Sequence, residues 1–165
     1  MAWFNPSLLF FMNKLFEIRK LTEDFYKDYP KERYPEIEQK SGRPYIVLLM
    51  KIDDNTFAIP LRTNIRHRYC YKFKKTGRST NSATGIDYSK AVLILKETYL
   101  GTETDIDDKE YLEIQNKGYF IIKQFKKYVY GYIAYLKYGG NQYIEKKYRY
   151  STLKYYDDVL LSNDK

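Results

Sequence analysis

Hydrophobic and polar positions alternate over residues 14–21, which predicts a strand, and Thr22-Glu23-Asp24 then opens a helix. Thr22 is placed to cap it, and two acids face its positive end. The helix is expected to stop near Pro30, and the charged stretch 31–42, carrying Pro35, reads as a loop or a short helix ending at Gly42. The continuous apolar run 45–52 suits a central strand. Asp53-Asp54-Asn55 turns the chain back into 56–61, the best hairpin in the sequence. In its second arm Phe57, Ile59 and Leu61 share a face, and Pro60, with no N–H to donate, marks an edge or the functional end of the strand.

Residues 67–73 continue the sheet, with Tyr69, Tyr71 and Phe73 on one side and Arg68, Cys70 and Lys72 on the other. Residues 75–89 are rich in Gly, Ser, Thr and Asn and read as a long loop, and loops of that length in a compact domain carry function or are disordered. A buried strand follows at 91–95. The acids of 105–108 read as a helix cap, since a calcium loop needs a Gly at its sharp turn and a closing Glu, and neither is correctly placed here. Ile122, Phe125, Val129, Ile133 and Leu136 recur at helical spacing within 117–138, with Lys123, Lys126, Lys127 and Lys137 on the opposite face. Gly139-Gly140 ends this long helix, a short strand is expected at 143–150, and Ser151 caps a last helix over 151–161.

Together these elements describe one α+β domain over residues 12–165, without repeat or linker. Residues 1–11 are apolar but lack a basic start, are broken by Pro6 and are too short to span a bilayer. They read as a mis-called start, since Met12 opens a more ordinary sequence, or as an extra N-terminal segment; no membrane role is expected.

Composition adds a partner. Lys and Arg number 29 against 21 Asp and Glu, a net charge of +8, which favours a polyanion and nucleic acid first. The lone Cys70 cannot form an intramolecular disulfide, and the cytoplasm is the expected compartment. Twenty Tyr and nine Phe supply either base-stacking faces or ordinary core-edge side chains. From Asn55 to Ile86 there is no Asp or Glu, whereas Arg62, Arg66, Arg68, Lys72, Lys74, Lys75 and Arg78 all fall there. Ordinary surfaces mix both signs, so this block reads as a phosphate-binding surface, with Asn64, Tyr69 and Tyr71 available for base preference.

Within the block, Pro60-Leu61-Arg62-Thr63-Asn64-Ile65-Arg66-His67 gathers a hydroxyl, an amide, two guanidiniums and the only histidine. RNA cleavage by the neighbouring 2′-hydroxyl needs a proton acceptor, a proton donor and positive donors for the phosphorane. His67 suits acid or base, Arg62 and Arg66 suit the phosphate, and Thr63 can donate to a non-bridging oxygen. The bland alternative is that His67 is one more surface donor. Cys70 lacks a partner that would make it a nucleophile, and one histidine with carboxylates clustered elsewhere gives no metal-ligand set. Gly77-Arg78-Ser79-Thr80 lacks the spacing of a nucleotide fingerprint and remains an RNA-contacting loop. A non-catalytic RNA-binding module stays open as the second reading, and a DNA-binding regulator is disfavoured because no helix-turn-helix pattern stands out.

Arg43-Pro44-Tyr45-Ile46-Val47-Leu48-Leu49, followed by Phe57-Ala58-Ile59-Pro60-Leu61-Arg62-Thr63-Asn64, resembles the strand–turn–strand of the toxins of type III toxin–antitoxin systems, the ToxN/AbiQ superfamily with its CptN-like and TenpN-like members. The resemblance runs from about Met12 to Leu136 in order of elements and is specific in the first hairpin. It implies a compact, highly twisted, barrel-like antiparallel sheet with peripheral helices. It also implies a metal-free, cofactor-free and sequence-specific endoribonuclease that leaves 2′,3′-cyclic phosphate and 5′-hydroxyl ends and acts in phage abortive infection. The implied partners are a pseudoknot-repeat RNA antitoxin, in a closed toxin–RNA assembly, and cellular or phage RNA substrates. By motif position Thr63 stands for the hydroxyl residue after Pro-Leu, and Arg43 for a basic residue before the first hairpin strand. A lysine closely follows the hydroxyl in ToxN-like members; here Asn64 and Ile65 precede Arg66 and His67, which turns the acid/base role toward His67. The catalytic set is thus His67, Thr63 and Arg66, and the RNA-contacting set Arg43, Tyr45, Arg62, Asn64, Arg68, Lys72, Lys74, Lys75, Arg78 and Ser79.

Overall fold

The computed structural model describes residues 16–39, 45–74 and 83–163. The expectations for residues 1–11 and for Arg43, Lys75, Arg78 and Ser79 lie outside them. Strand β1 (Glu17–Leu21) leads into helix α1 (Glu23–Asp28). Thr22 stands at the cap position, but its hydroxyl donates instead to the Thr98 carbonyl at 2.6 Å. Phe25 of α1 is fully buried, stacked on Tyr29 at 4.7 Å and edge-on to Tyr99 at 5.4 Å.

The expected hairpin forms as β2 (Ile46–Ile52) and β3 (Asn55–Arg62), in register from Ile52↔Asn55 to Val47↔Pro60. A two-residue turn joins them, with Asp53 at φ = 53°, a conformation that Asp tolerates better than most residues. Five consecutive β3 residues, Phe57 to Leu61, are buried, because this strand has neighbours along both edges and side chains packed on both faces.

Three further strands pair around this hairpin: β4 (Cys70–Lys72), β5 (Gly85–Asp87) and β6 (Val92–Leu93). With β7 (Leu100–Glu103) they complete a seven-stranded antiparallel sheet, ordered β4-β5-β3-β2-β1-β7, with β6 alongside β3. The α+β class with an antiparallel sheet and one long helix is as the sequence implies. The sheet itself stays open among the described residues, with β4 and β7 as its edges, so the barrel does not close. Strands β5 and β7 fall in stretches without apolar alternation; both are three or four residues long, and pairing with neighbours decides such segments more than propensity does.

Helix α2 (Asp108–Tyr138) starts nine residues before the apolar periodicity suggests, because the Asp107 carboxylate accepts the N–H groups of Lys109 and Glu110 at 3.0 and 3.2 Å. Its buried stripe runs through Ile114, Gly118, Ile121, Phe125, Tyr128, Val129, Tyr132 and Ile133, so Phe125, Val129 and Ile133 are buried as expected, tyrosines also hold core positions, and Ile122 and Leu136 fall at the margin. Phe125 meets Phe57 of β3 edge-on at 5.2 Å, and a Cβ on Gly118 would come within 2.5 Å of the Phe16 ring. Residues 143–150 are no strand. Helix α3 (Gln142–Tyr148) forms there, capped by Asn141 at 3.1 Å and anchored by Tyr148, whose ring packs 5.1 Å from both Tyr128 and Tyr132. A 3-10 turn (Thr152–Tyr156) started by Ser151 and a short helix α4 (Asp157–Ser162) close the described chain.

Candidate functional site

The site begins with an interruption in the sheet. Between the pairs Leu61↔Ile86 and Ala58↔Val92, β3 advances three residues while the facing chain advances six. The three surplus residues form a 3-10 turn, Tyr88–Lys90, that breaks the partner into β5 and β6. Pro60 stands in the gap, neither at an edge nor at the strand's end; on that flank a missing N–H costs no ladder bond. Asp87, the last residue of β5, starts the turn by accepting from the Ser89 N–H at 3.0 Å and the Ser89 hydroxyl at 2.7 Å.

The second oxygen of Asp87 faces the end of β3. Arg62 donates to it through Nη1, and His67 Nε2 lies 3.3 Å away. The other Arg62 nitrogen, Nη2, is held by Glu38, whose second oxygen accepts the Tyr45 hydroxyl. Four side chains from three parts of the chain are thus linked as Tyr45–Glu38–Arg62–Asp87, with His67 and Ser89 at the end. The Asp87 side chain is fully buried, and burial alone would raise its pKa. The hydrogen bonds from His67 and Ser89 and the charge of Arg62 outweigh that, so its carboxyl lies below the ordinary range. Burial pulls the Arg62 guanidinium down, and Asp87 and Glu38 more than restore it. Burial and the Glu38 carboxylate push the Tyr45 hydroxyl up, so it remains a donor.

The loop that carries His67 is pinned at several points. Asn64 takes φ = 58°, Ile65 is buried at 4% exposure, and its N–H donates to the Ala83 carbonyl at 3.0 Å. The Tyr69 N–H donates to His67 Nδ1 at 3.2 Å, which makes Nδ1 an acceptor and puts the ring proton on Nε2, toward Asp87 and the Ser89 hydroxyl at 3.4 Å. The ring is a third exposed and lies 6.0 Å from the Tyr69 ring at 26°. The Ser89 hydroxyl gives its proton to Asp87 and is buried, so the order Asp–His–Ser of an acyl-transfer triad is not met. The buried Cys70 thiol donates to the His67 carbonyl at 3.3 Å, and burial pushes its pKa up to about 11.

Of the residues singled out from sequence, Arg62 and His67 meet at Asp87, while Thr63, Asn64 and Arg66 are exposed beside them, with Arg66 Nε 3.4 Å from the Asn64 side-chain oxygen. Arg68, Lys72 and Lys74 are exposed along the same segment. Tyr45 is buried at 7% exposure and serves Glu38. Tyr71 donates to Glu113 of α2 at 2.7 Å, which fastens β4 to the long helix.

Sequence reasoning missed Asp87, Ser89 and Glu38, and also a basic aromatic flank from α3. Asp87 had a signal, being the first acid after the acid-free block. On that flank the Arg68 guanidinium lies 5.8 Å from the Tyr69 ring and 5.6 Å from the Tyr143 ring, and donates to the Tyr143 hydroxyl. Lys147 Nζ sits 5.8, 5.6 and 4.9 Å from the rings of Tyr69, Tyr128 and Tyr148. Burial, then repulsion by Lys127 and Arg68, lowers the Lys147 pKa.

Among the described residues no three His, Cys, Asp or Glu side chains are gathered as metal ligands would be, and no helix is long and apolar enough to cross a membrane. No family model and no curated protein matches this chain. One solved structure, described by the words "A processed non-coding RNA regulates a bacterial antiviral system", matches over 81% of this chain and 97% of its own, at 14% identity and a TM-score of 0.53. At that identity the likeness shows a common fold.

Proposed function

We propose that this protein is a metal-independent, sequence-specific endoribonuclease toxin whose cleavage centre lies at Arg62, His67 and Asp87. The observation that carries the reading is the placement of the only histidine, partly exposed and held by a buried carboxylate, within the segment 55–86, which carries Arg and Lys but no Asp or Glu. The fold likeness to a protein described in connection with a non-coding RNA and a bacterial antiviral system supports it, as does the resemblance carried by the first hairpin.

In this reading the 2′-oxygen attacks the adjacent phosphorus, the P–O5′ bond breaks, and the products carry 2′,3′-cyclic phosphate and 5′-hydroxyl ends. His67 carries one of the two protons that move, and Asp87 stabilises the imidazolium form. Arg66 and Thr63, both exposed beside His67, hold the non-bridging oxygens. Arg62 is a positioning residue, since both of its terminal nitrogens are engaged by carboxylates. Arg68, Lys72 and Lys74 bind the flanking phosphates. The natural inhibitor is a repeat-derived RNA that occupies the same basic surface and forms a closed assembly with the toxin.

One observation favours the second reading, a non-catalytic RNA-binding module: both ring nitrogens of His67 have partners, Tyr69 N–H at one side and Asp87 with Ser89 at the other. The two readings separate on purified protein incubated with RNA in EDTA. Fragments ending in 2′,3′-cyclic phosphate are expected. Salt-sensitive binding without fragments would select the binding module, and cleavage abolished by EDTA would contradict metal-free chemistry.

A further inference from the structure

Resting on that reading, we propose that Tyr143 and Lys147 of α3, with Arg68 and Tyr69, form a nucleotide subsite that stacks an unpaired RNA base next to the cleaved bond and grips its phosphate. Tyr143 is half exposed, so part of its ring is open to a ligand beside Arg68 and Tyr69. Its hydroxyl is fixed by the Arg68 guanidinium, whose carbon lies 5.6 Å from the ring, so the ring orientation is set before any ligand arrives. The helix beneath it is rigidly seated: Tyr148 is buried and donates to the Tyr128 carbonyl at 2.9 Å.

Lys147 supplies the charge. Its ammonium lies against three tyrosine rings, and no carboxylate among the described residues is paired with it. Such a cation gains most from an incoming anion, since none of its attraction is already spent on an acid. Tyr69 joins the two parts, because its ring neighbours Arg68, Lys147 and His67 alike, at 5.8, 5.8 and 6.0 Å. A flat face with guanidinium and ammonium groups beside it matches a single-stranded nucleotide, whose base stacks and whose phosphate is negative. A base paired in a helix would not offer its face, so the subsite selects unpaired RNA.

The test uses full-length protein and a single-stranded RNA oligonucleotide made uncleavable by 2′-deoxy substitution at the cut site, with 2-aminopurine scanned along it. Stacking should quench the 2-aminopurine at one position near the cut. Tyr143→Ala should abolish that quenching and weaken binding about tenfold, and Tyr143→Trp should retain both. Lys147→Met, which keeps the packing length, should weaken binding severalfold and flatten its salt dependence. If wild-type protein binds and cuts RNA but Tyr143→Ala and Lys147→Met bind it unchanged, the subsite is disproved and the ribonuclease reading stands. If wild-type protein neither binds nor cuts RNA, both fall together.

Discussion

His67 Nε2 stands 3.3 Å from Oδ2 of Asp87, the same oxygen that receives Nη1 of Arg62, so one buried carboxylate orients the only imidazole and secures the end of β3. Replacing it therefore has two consequences. Asp87→Asn leaves the Arg62 guanidinium, 17% exposed, facing a neutral amide, and should destabilise the fold by about 3 kcal/mol in urea melts.

The same carboxylate makes stability depend on pH. Its folded pKa is below the ordinary value of 3.8, so its contribution is fully present above that value and is lost as pH falls through the folded pKa. Wild-type protein should hold its urea midpoint from neutral pH to about pH 5 and lose it below pH 4. The Asp87→Asn variant should show a smaller loss over the same interval, and an equal loss would place the acid sensitivity elsewhere.

Gly85 pairs with both Arg62 and Lys72, and a Cβ there would meet the Tyr71 carbonyl oxygen at 2.0 Å. A backbone atom fixed in a ladder cannot move aside. Gly85→Ala should cost about 1–3 kcal/mol and, by shifting β5, misplace Asp87. Thermal unfolding reads the first effect, and cleavage by the still-folded fraction reads the second.

Arg66, Lys72 and Lys74 are exposed, so their removal should leave folding intact. Substituting all three by Ala should weaken RNA binding to a similar degree across sequences. The slope of log K against log salt should shrink by about 0.7 for each residue that contacts a phosphate. A changed sequence preference with an unchanged slope would assign these residues to base reading instead.

Cys70 should be inert near neutral pH, since burial pushes its thiol up to about 11. Cys70→Ala is expected to cleave RNA at about the wild-type rate, with slow alkylation of the wild-type thiol. Loss of cleavage in a folded Cys70→Ala protein would bring a thiol nucleophile back into consideration.

The hairpin β2–β3 was legible because an apolar run, a turn dipeptide and a second apolar run are local signals. The long helix was legible for the same reason, and Phe125, Val129 and Ile133 of its expected stripe are buried; the core also takes Tyr128 and Tyr132, polar by type and buried in fact, while Ile122 and Leu136 lie at its margin. Residues 143–150 misled because Tyr143, Tyr148 and Tyr150 suggest strand propensity, while Tyr148 is used to seat a helix on α2. His67 and Arg62 were legible as chemistry from charge and rarity. Asp87 stood out only as the first acid after the acid-free block; its role was not legible, since it depends on a ladder break that brings residue 87 beside residues 62 and 67, and no spacing within the chain encodes that.

The cleavage centre is tested most directly by the rate of RNA cutting in EDTA for wild-type and His67→Ala proteins, each shown to be folded and to bind an uncleavable RNA equally well. The expected result is a fall of about 100-fold or more with binding retained. An unchanged rate would contradict the placement of proton transfer at His67.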